Sequence, residues 1–395
     1  MNVSLSTIGR FHHFDLARQL LRLGHQVSIF TGNPRSRIDV DLRRLSKTRP
    51  LLRIPLALGG RLGLLTRLTW LHDVFLRDLG SWLARSVDLE WTDVLHGLDG
   101  PGPEAGRLIK ANGKLWICDR GSAHLITQME ILEEEHSYWK APPPFKISHR
   151  HLERCLAEYE EAHAITVPSQ FAKRSFLEHG IPPERIFLCP YGVDLSEFRP
   201  GVKADKTFRV IVVGSVSIQK GIGHLLRAVE PLVNKRQCEL WLVGGIDPSV
   251  RRILDQYNGI FVYKGISPRK DLWRLYSQAS VLVLASVQDG FGMVQAQAMA
   301  CGVPVIATTN TGAEDLFTDG VEGFIVPIRN PKAIRERLEW MMENPILRDH
   351  MAEAALSRVK GLGGWDRYGE RMESVYRELA IRHHVQLHET NLVSE

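Results

Sequence analysis

Cysteine is scarce in this chain of 395 residues, which has only Cys118, Cys155, Cys189, Cys238 and Cys301. An odd, scattered set without a CxxC pair excludes a zinc ribbon, argues against a disulfide framework and favours a reducing compartment. A charge-free apolar run of membrane-spanning length is also missing. The greasiest stretch, Leu51 to Leu71, is broken by Arg53, Arg61 and Arg67. The opening residues MNVSLSTIGRFHH turn polar within ten positions and lack a signal-peptide core, so a cytoplasmic protein is expected. There is no GxxxxGK[ST] phosphate loop, no GxGxxG dinucleotide turn and no nucleic-acid module, so nucleic acid is not an expected partner. Charge of either sign is nearly balanced, with 50 Lys+Arg against 45 Asp+Glu for a net +5. Hydrophobic residues at 44% and charged residues at 24% exclude disorder and fibrous folds. At about 100–200 residues per domain, the length suits two domains.

Short apolar runs alternate with helical patterns along the chain. Asn2–Ser6, Gln26–Thr31, Asp93–His96, Lys114–Asp119, Ala164–Pro168 and Arg185–Pro190 read as strands of the first half. Phe208–Gly214, Glu239–Gly244, Ile260–Tyr263, Val281–Ala285, Pro304–Thr308 and Phe324–Pro327 read as strands of the second. Leu16, Ala17, Leu20 and Leu21 mark one face of an intervening helix, and Leu225, Leu226, Val229 and Leu232 mark another. This alternation predicts an α/β protein of two Rossmann-like, doubly wound domains facing across a cleft. The polar, Gly- and Pro-punctuated stretch Tyr191–Lys206 marks the break. The expected organisation is 1–195, 205–364, and a final segment 365–395. Ligands of such folds bind at the carboxyl ends of the strands.

Two glycine-bearing turns carry the chemistry. Gly214-Ser-Val-Ser-Ile-Gln-Lys220-Gly221 follows a strand and opens a helix, offering backbone N–H groups and a lysine charge to a diphosphate. Asp289-Gly-Phe-Gly-Met-Val-Gln-Ala-Gln297 follows the strand VLVLAS, with Gly290 and Gly292 permitting close approach of a ligand. Asp289 stands at the mouth of that turn and Gln297 lies eight residues on. Taken together, these turns read as a pocket for a nucleotide diphosphate-sugar.

VGSVSIQKG, DGFGMVQAQAMACGVPVIATTNTGAEDL and DGVEGFIVP resemble the donor domain of family-4 retaining glycosyltransferases, a group that includes glycogen-synthase-like and mannosyltransferase-like enzymes. The earlier VPSQFAKRSFLEHGIPPERIFLCPYGVDLSEFRP resembles their interdomain segment. The resemblance implies a GT-B fold, no metal ion or other cofactor, and transfer of a hexose from a UDP- or GDP-sugar to a glycan or lipid-linked acceptor with retention. By position it implies that Lys220 meets the donor diphosphate, that Phe291, Gly292, Met293 and Val294 meet the donor sugar and distal phosphate, and that Asp289 reaches a sugar hydroxyl. Gln297 would meet the ribose and Ile266 the base. The chain departs from the family in having Asp289 and Gln297 where Glu is usual, and Ser215 where Arg is usual. Arg10, beside Gly9 in the loop STIGRFHH, is the expected substitute cation. Asp119, at the end of KLWICD, is read as holding or deprotonating the acceptor hydroxyl, with His124 and His96 beside it. A sugar-nucleotide epimerase and a non-catalytic binding relative are the alternative readings.

Four further features stand outside the donor and acceptor motifs. Residues 35–85 hold eleven Lys+Arg against four Asp, a local +7 interleaved with Trp70, Phe75 and Trp82, which suggests contact with an anionic membrane or acceptor. The acidic run EILEEE, Glu130 to Glu135, reads as a solvated helix face. Asp39-Val-Asp41 resembles a metal-binding DxD but follows no apolar strand. Trp365-Asp-Arg-Tyr368 starts a helix that, by the resemblance, crosses back onto the first domain.

Overall fold

The computed structural model describes residues 1–9, 11–50, 69–144 and 147–388. Its strands, in chain order, are β1 (Asn2–Thr7), β2 (Gln26–Thr31), β3 (Ser46–Thr48), β4 (Val94–Leu98), β5 (Leu115–Asp119), β6 (Ala164–Val167) and β7 (Ile186–Leu188). Then come β8 (Arg209–Val213), β9 (Glu239–Val243), β10 (Val262–Gly265), β11 (Val281–Leu284), β12 (Val305–Thr308) and β13 (Gly323–Val326). The first seven form one sheet in the order β3-β2-β1-β4-β5-β6-β7, and the last six form a second in the order β10-β9-β8-β11-β12-β13. Every pairing within the two sheets is parallel; Val3 faces both Val27 and Val94, for example. Helices cover both faces of each sheet, so β1, β4, β5 and β8 are buried along their whole length. That two-sided burial makes these strands legible as continuous apolar runs.

Strand β3 is an exception. Ser-Lys-Thr carries no apolar residue, and the sequence reading placed no strand there. It forms as a three-residue edge strand through backbone pairing of Ile29 with Ser46 and Thr31 with Thr48.

The apolar cores follow the two sheets. Val3, Leu5, Phe14, Leu16 and Val94 belong to one cluster, and Val210, Ile222, Leu226 and Val283 to another. The helix Pro345–Leu362 sets Ala355 and Val359 into a cluster of the second sheet with Ile211 and Leu282. The next helix, Trp365–Arg382, sets Tyr368, Met372 and Tyr376 into the first-domain cluster with Val3 and Leu16. The chain therefore crosses between the domains twice, at 189–208 and again at 363–365.

The acidic run is not uniformly solvated. Glu130, Glu133 and Glu134 are exposed, but Glu135 is fully buried at the domain boundary. It accepts from His224 Nε2 at 2.6 Å, Trp139 Nε1 at 2.7 Å and Arg329 Nε at 2.7 Å. His224 and Arg329 come from the second domain, so this one glutamate ties the domains together. Asp39 and Asp41 both bind the Arg18 guanidinium, at 2.7 and 2.8 Å.

Candidate functional site

In both sheets the strand order reverses beside the first strand of the domain, between β1 and β4 and between β8 and β11. The loops leaving those strands splay apart there, which opens a crevice at their carboxyl ends. The two crevices face each other.

On the second-domain side a cavity of about 210 Å³ is lined by Gly214, Lys220, Asp289, Phe291, Gly292, Met293 and Val294, with Gly121 and Tyr191 from across the boundary. Gly221 makes this geometry possible. It caps the helix Ile222–Asn234 in the left-handed region at φ 64°, and an added Cβ would stand 1.9 Å from the Ala285 carbonyl oxygen. The helix N-terminus is thereby pressed against the end of β11. Lys220 forms an ion pair with Asp289, whose other oxygen accepts from Gly292 N at 3.1 Å. Asp289 thus both shapes the turn and holds the lysine.

Other residues of the expected donor set stand apart from this cavity. Gln297 accepts from Tyr276 OH at 3.0 Å, so its amide is already engaged one turn into the helix Val294–Ala300. Ile266 is 79% exposed beyond β10, beside Gly245. Ser215 is exposed. Gly290 presses against the first domain, where an added Cβ would lie 1.9 Å from Gly121 O, and its carbonyl accepts from Ser169 Oγ at 2.5 Å. Gly9 turns the loop after β1, its carbonyl accepting from Thr7 Oγ1 at 2.9 Å. Arg10 lies outside the described residues.

On the first-domain side a larger cavity of about 720 Å³ has an apolar wall of Phe11, Phe14 and Trp365 and a polar wall that includes Arg18, Asp99 and Arg120. Gly121, Tyr191 and Met293 line both cavities, so the two spaces meet at this seam. The arginines of the polar wall are held by carboxylates. Arg120 donates to Asp99 at 2.8 Å, and Arg18 is clasped by Asp39 and Asp41. Arg269, reaching in from the second domain, pairs with Glu197.

The acceptor-side residues require correction. Asp119 was read as meeting the acceptor hydroxyl directly, but its side chain is only 3% exposed and both oxygens are taken. Oδ2 is 2.6 Å from His12 Nε2, and Oδ1 accepts from Thr166 Oγ1 at 2.7 Å. Burial opposes its charge, yet His12, His96 and His13 together hold the carboxyl well below its usual range. It is therefore an acceptor only, and His12 Nε2 carries the shared hydrogen. His96 is wholly buried behind it, with Nε2 3.2 Å from Thr166 Oγ1 and Nδ1 2.7 Å from Tyr376 OH. His124 is buried at the start of the helix Leu125–Tyr138 and stacked on His179 at 4.0 Å. Burial and then His179 lower its pKa to about 3, leaving it neutral. Neither His96 nor His124 lines either cavity. Each end of a strand or helix looked polar and available in the sequence, but the layers packed over it are remote in the chain.

His12, Tyr191 and Trp365 were not singled out for the site. Tyr191 lay in the segment read as a linker, and the crossing of the last helix is what brings Trp365 to the cleft. Among the described residues one trio, His12, His13 and Asp119, brings three potential metal-ligand atoms within 4.8 Å of one another. The 2.6 Å contact of His12 with Asp119 is too short for two ligands of one ion, which at about 2.0–2.1 Å from a tetrahedral centre stand roughly 3.3 Å apart. The trio is closed around a shared proton and does not fit a metal.

With this geometry in place, comparison with known proteins is direct. Residues 195–358 match the family described as glycosyl transferases group 1, and residues 11–197 match glycosyltransferase family 4. A D-inositol 3-phosphate glycosyltransferase of Nocardiopsis dassonvillei is 30% identical over 228 residues, 52% of this chain and 53% of that protein. The chain spans about half the length of the first such curated relatives. Sucrose-phosphate synthase from Thermosynechococcus elongatus has the same fold, with a TM-score of 0.72 at 20% identity over 97% of this chain and 100% of that one. So does HepE from Anabaena, solved in complex with UDP-glucose, with a TM-score of 0.69 at 16% identity over 96% and 100%.

Proposed function

Because the chain belongs to the family-4 glycosyltransferases of GT-B fold, we infer that it moves a hexose from a nucleoside-diphosphate sugar to a hydroxyl of a glycan or lipid-linked acceptor, with retention and without a metal ion. The observation that carries this reading is the pair of cavities meeting at Gly121, Tyr191 and Met293, with Lys220 on one side of the seam. A sugar in the smaller cavity and a hydroxyl in the larger would react where the two spaces join.

The chemistry follows from charge. Breaking the anomeric bond leaves negative charge on the diphosphate, and a preorganised cation and helix N-terminus stabilise it in a partly dry cleft. Lys220 and the N-terminus of Ile222–Asn234 supply both. A diphosphate entering the cavity would compete with Asp289 for Lys220 and free the carboxylate to accept from a sugar hydroxyl. The apolar wall of Phe11, Phe14 and Trp365 suits the C–H face of a sugar ring, while the paired arginines opposite suit its hydroxyls. HepE in complex with UDP-glucose supports a uridine donor, and the D-inositol 3-phosphate glycosyltransferases support a polyol acceptor.

A cytoplasmic protein touching an anionic membrane through 35–85 completes the reading. No described helix is long and apolar enough to cross a membrane. Trp70 is exposed on the helix Thr69–Ser86, while Arg49 is bound by Asp78, and Arg53, Arg61 and Arg67 lie outside the described residues. Salt-sensitive sedimentation with anionic vesicles tests that part. The donor site is tested by titrating the protein with UDP and GDP in EDTA. Binding of one nucleotide, weakened about tenfold or more in Lys220→Ala by loss of a charge-assisted contact, is expected. Absence of nucleotide binding would overturn the reading.

A further inference from the structure

The loop that leaves β2 encloses a further space on the first domain. This open cavity of about 580 Å³ is lined by Asn33, Ser36, Arg37, Asp39 and Arg43, among others. Asp39 also lines the larger cavity described above, so the two spaces adjoin at that residue. Its carboxylate is held by Arg18 at 2.7 Å. None of the residues lining this space lines the donor cavity, so the two are separate.

The side chains here differ from those of the surrounding surface. Elsewhere on the first domain, arginines are matched by carboxylates: Arg49 by Asp78, Arg107 by Glu161, Arg120 by Asp99 and Arg154 by Glu104. Arg37 and Arg43 break that pattern. Arg37 is exposed on a short turn and makes no ion pair among the described residues. Arg43 is half-buried, and its Nε donates to Ile38 O at 2.9 Å. That bond fixes the guanidinium and leaves its two terminal nitrogens without a partner among the described residues. Asn33 is only 2% exposed. Its backbone N–H donates to Thr31 Oγ1 at 3.1 Å, but its Nδ2 has no partner. A buried amide without a partner costs the desolvation of its N–H groups, a cost that a ligand oxygen would remove.

Two guanidiniums, a buried amide and the Ser36 hydroxyl therefore converge on one space, and the single carboxylate there is already taken by Arg18. Such a set of donors selects a ligand that concentrates negative charge on several oxygens. A phosphoryl group offers three, in a tetrahedral array, where a carboxylate offers two in a plane. We propose that Asn33, Ser36, Arg37 and Arg43 form a subsite for a phosphate ester of the acceptor, whose remainder lies in the larger cavity beyond Asp39; assignment of that ester to an acceptor rests on the glycosyl-transfer reading above. A water-soluble sugar phosphate and a phospholipid headgroup both present this chemistry.

The test is made on the full chain carrying Lys220→Ala, so that phosphate held by the donor lysine does not contribute. Inorganic phosphate, glucose 6-phosphate and glucose are titrated by calorimetry, and thermal melts report folding. Phosphate and glucose 6-phosphate are expected to bind and glucose is not. Adding Arg37→Ala and Arg43→Ala should weaken that binding about tenfold or more, through loss of charge-assisted contacts. If that combination does not fold, Arg37→Glu, at an exposed position, takes its place. Sedimentation with phosphatidylcholine vesicles, with and without phosphatidylglycerol, separates the two sources. Binding of glucose 6-phosphate that the arginine variants lose places the ester on a soluble acceptor. Sedimentation only with phosphatidylglycerol, lost in the same variants and without binding of the soluble phosphates, places it in a lipid headgroup. Binding of none of these probes overturns the proposal. So does phosphate affinity within about threefold in the arginine variants, or glucose bound as tightly as glucose 6-phosphate. A wild-type protein that binds neither UDP nor GDP overturns the glycosyl-transfer reading instead, and the phosphate titrations, which use no donor, still decide the subsite.

Discussion

Glu135→Ala probes how the two domains are held together. The wild-type carboxylate is fully buried and accepts from His224, Trp139 and Arg329 within 2.7 Å. Truncation leaves the buried His224 and the half-buried Trp139 without their acceptor, while Arg329 keeps Glu134 at 2.8 Å; breaking a buried pair from one side costs about 3–5 kcal/mol. With a urea dependence of about 3 kcal/mol/M, the unfolding midpoint falls by roughly 1–1.7 M. Arg329→Ala should cost less, about 1–2 kcal/mol, because its side chain is 31% exposed and its loss leaves Glu135 two donors. Burial opposes the charge of Glu135, but His224, Arg329 and Trp139 hold its carboxyl below the usual 4.5. A depressed carboxyl stabilises the fold above its unfolded value and loses that contribution as pH falls, so the gap between wild type and Glu135→Ala should narrow below about pH 4.5. Tryptophan fluorescence follows the transition, with Trp139 at the site. A midpoint shift under 0.3 M, or a larger cost for Arg329→Ala than for Glu135→Ala, would refute the reasoning.

Two other perturbations probe the boundary near the donor loop. Gly290→Ala places a methyl group 1.9 Å from Gly121 O and 2.7 Å from Ser122 Cα; it should lower kcat/KM at least about tenfold while nucleotide affinity, measured by calorimetry, holds, since domain approach rather than the donor cavity is obstructed. Asp315 accepts from Gln170 N across the boundary, and burial pushes its pKa up to about 6. A raised carboxyl favours the folded state when protonated, so this residue should erode stability as pH rises through about 6; Asp315→Asn should flatten that decline in urea midpoints between pH 5 and 7, and an unchanged slope would discount the burial argument.

The sequence was most legible where function and fold depend on contiguous residues. Strands such as Val210–Val213 are buried on both faces and read as unbroken apolar runs, and the donor turns keep their glycines, Lys220 and Asp289 within a few positions of a strand end. Strand β3 was not legible because Ser-Lys-Thr pairs only through its backbone. The acceptor wall was not legible because it joins His12, Arg120, Tyr191 and Trp365 from four distant stretches. Asp119, His96 and His124 illustrate the same limit. Their positions at element ends suggested availability, but a helix from residues 365–382, the strand β6 and the helix Gln170–Glu178 close over them. Glu135 looked like its exposed neighbours because nothing local marks which acidic position of that helix is buried against the second domain.

The central claim, that the smaller cavity holds the departing nucleoside diphosphate, is tested most directly by nucleotide release. Purified protein is incubated in EDTA with UDP-, GDP- and ADP-sugars, alone and with glycan and polyol acceptors, beside Lys220→Ala. Release of one nucleotide by the wild type, lost by a factor of about ten or more in the variant, is the expected result. Equal release from wild type and Lys220→Ala, or turnover that appears only when Mg²⁺ replaces EDTA, would contradict it.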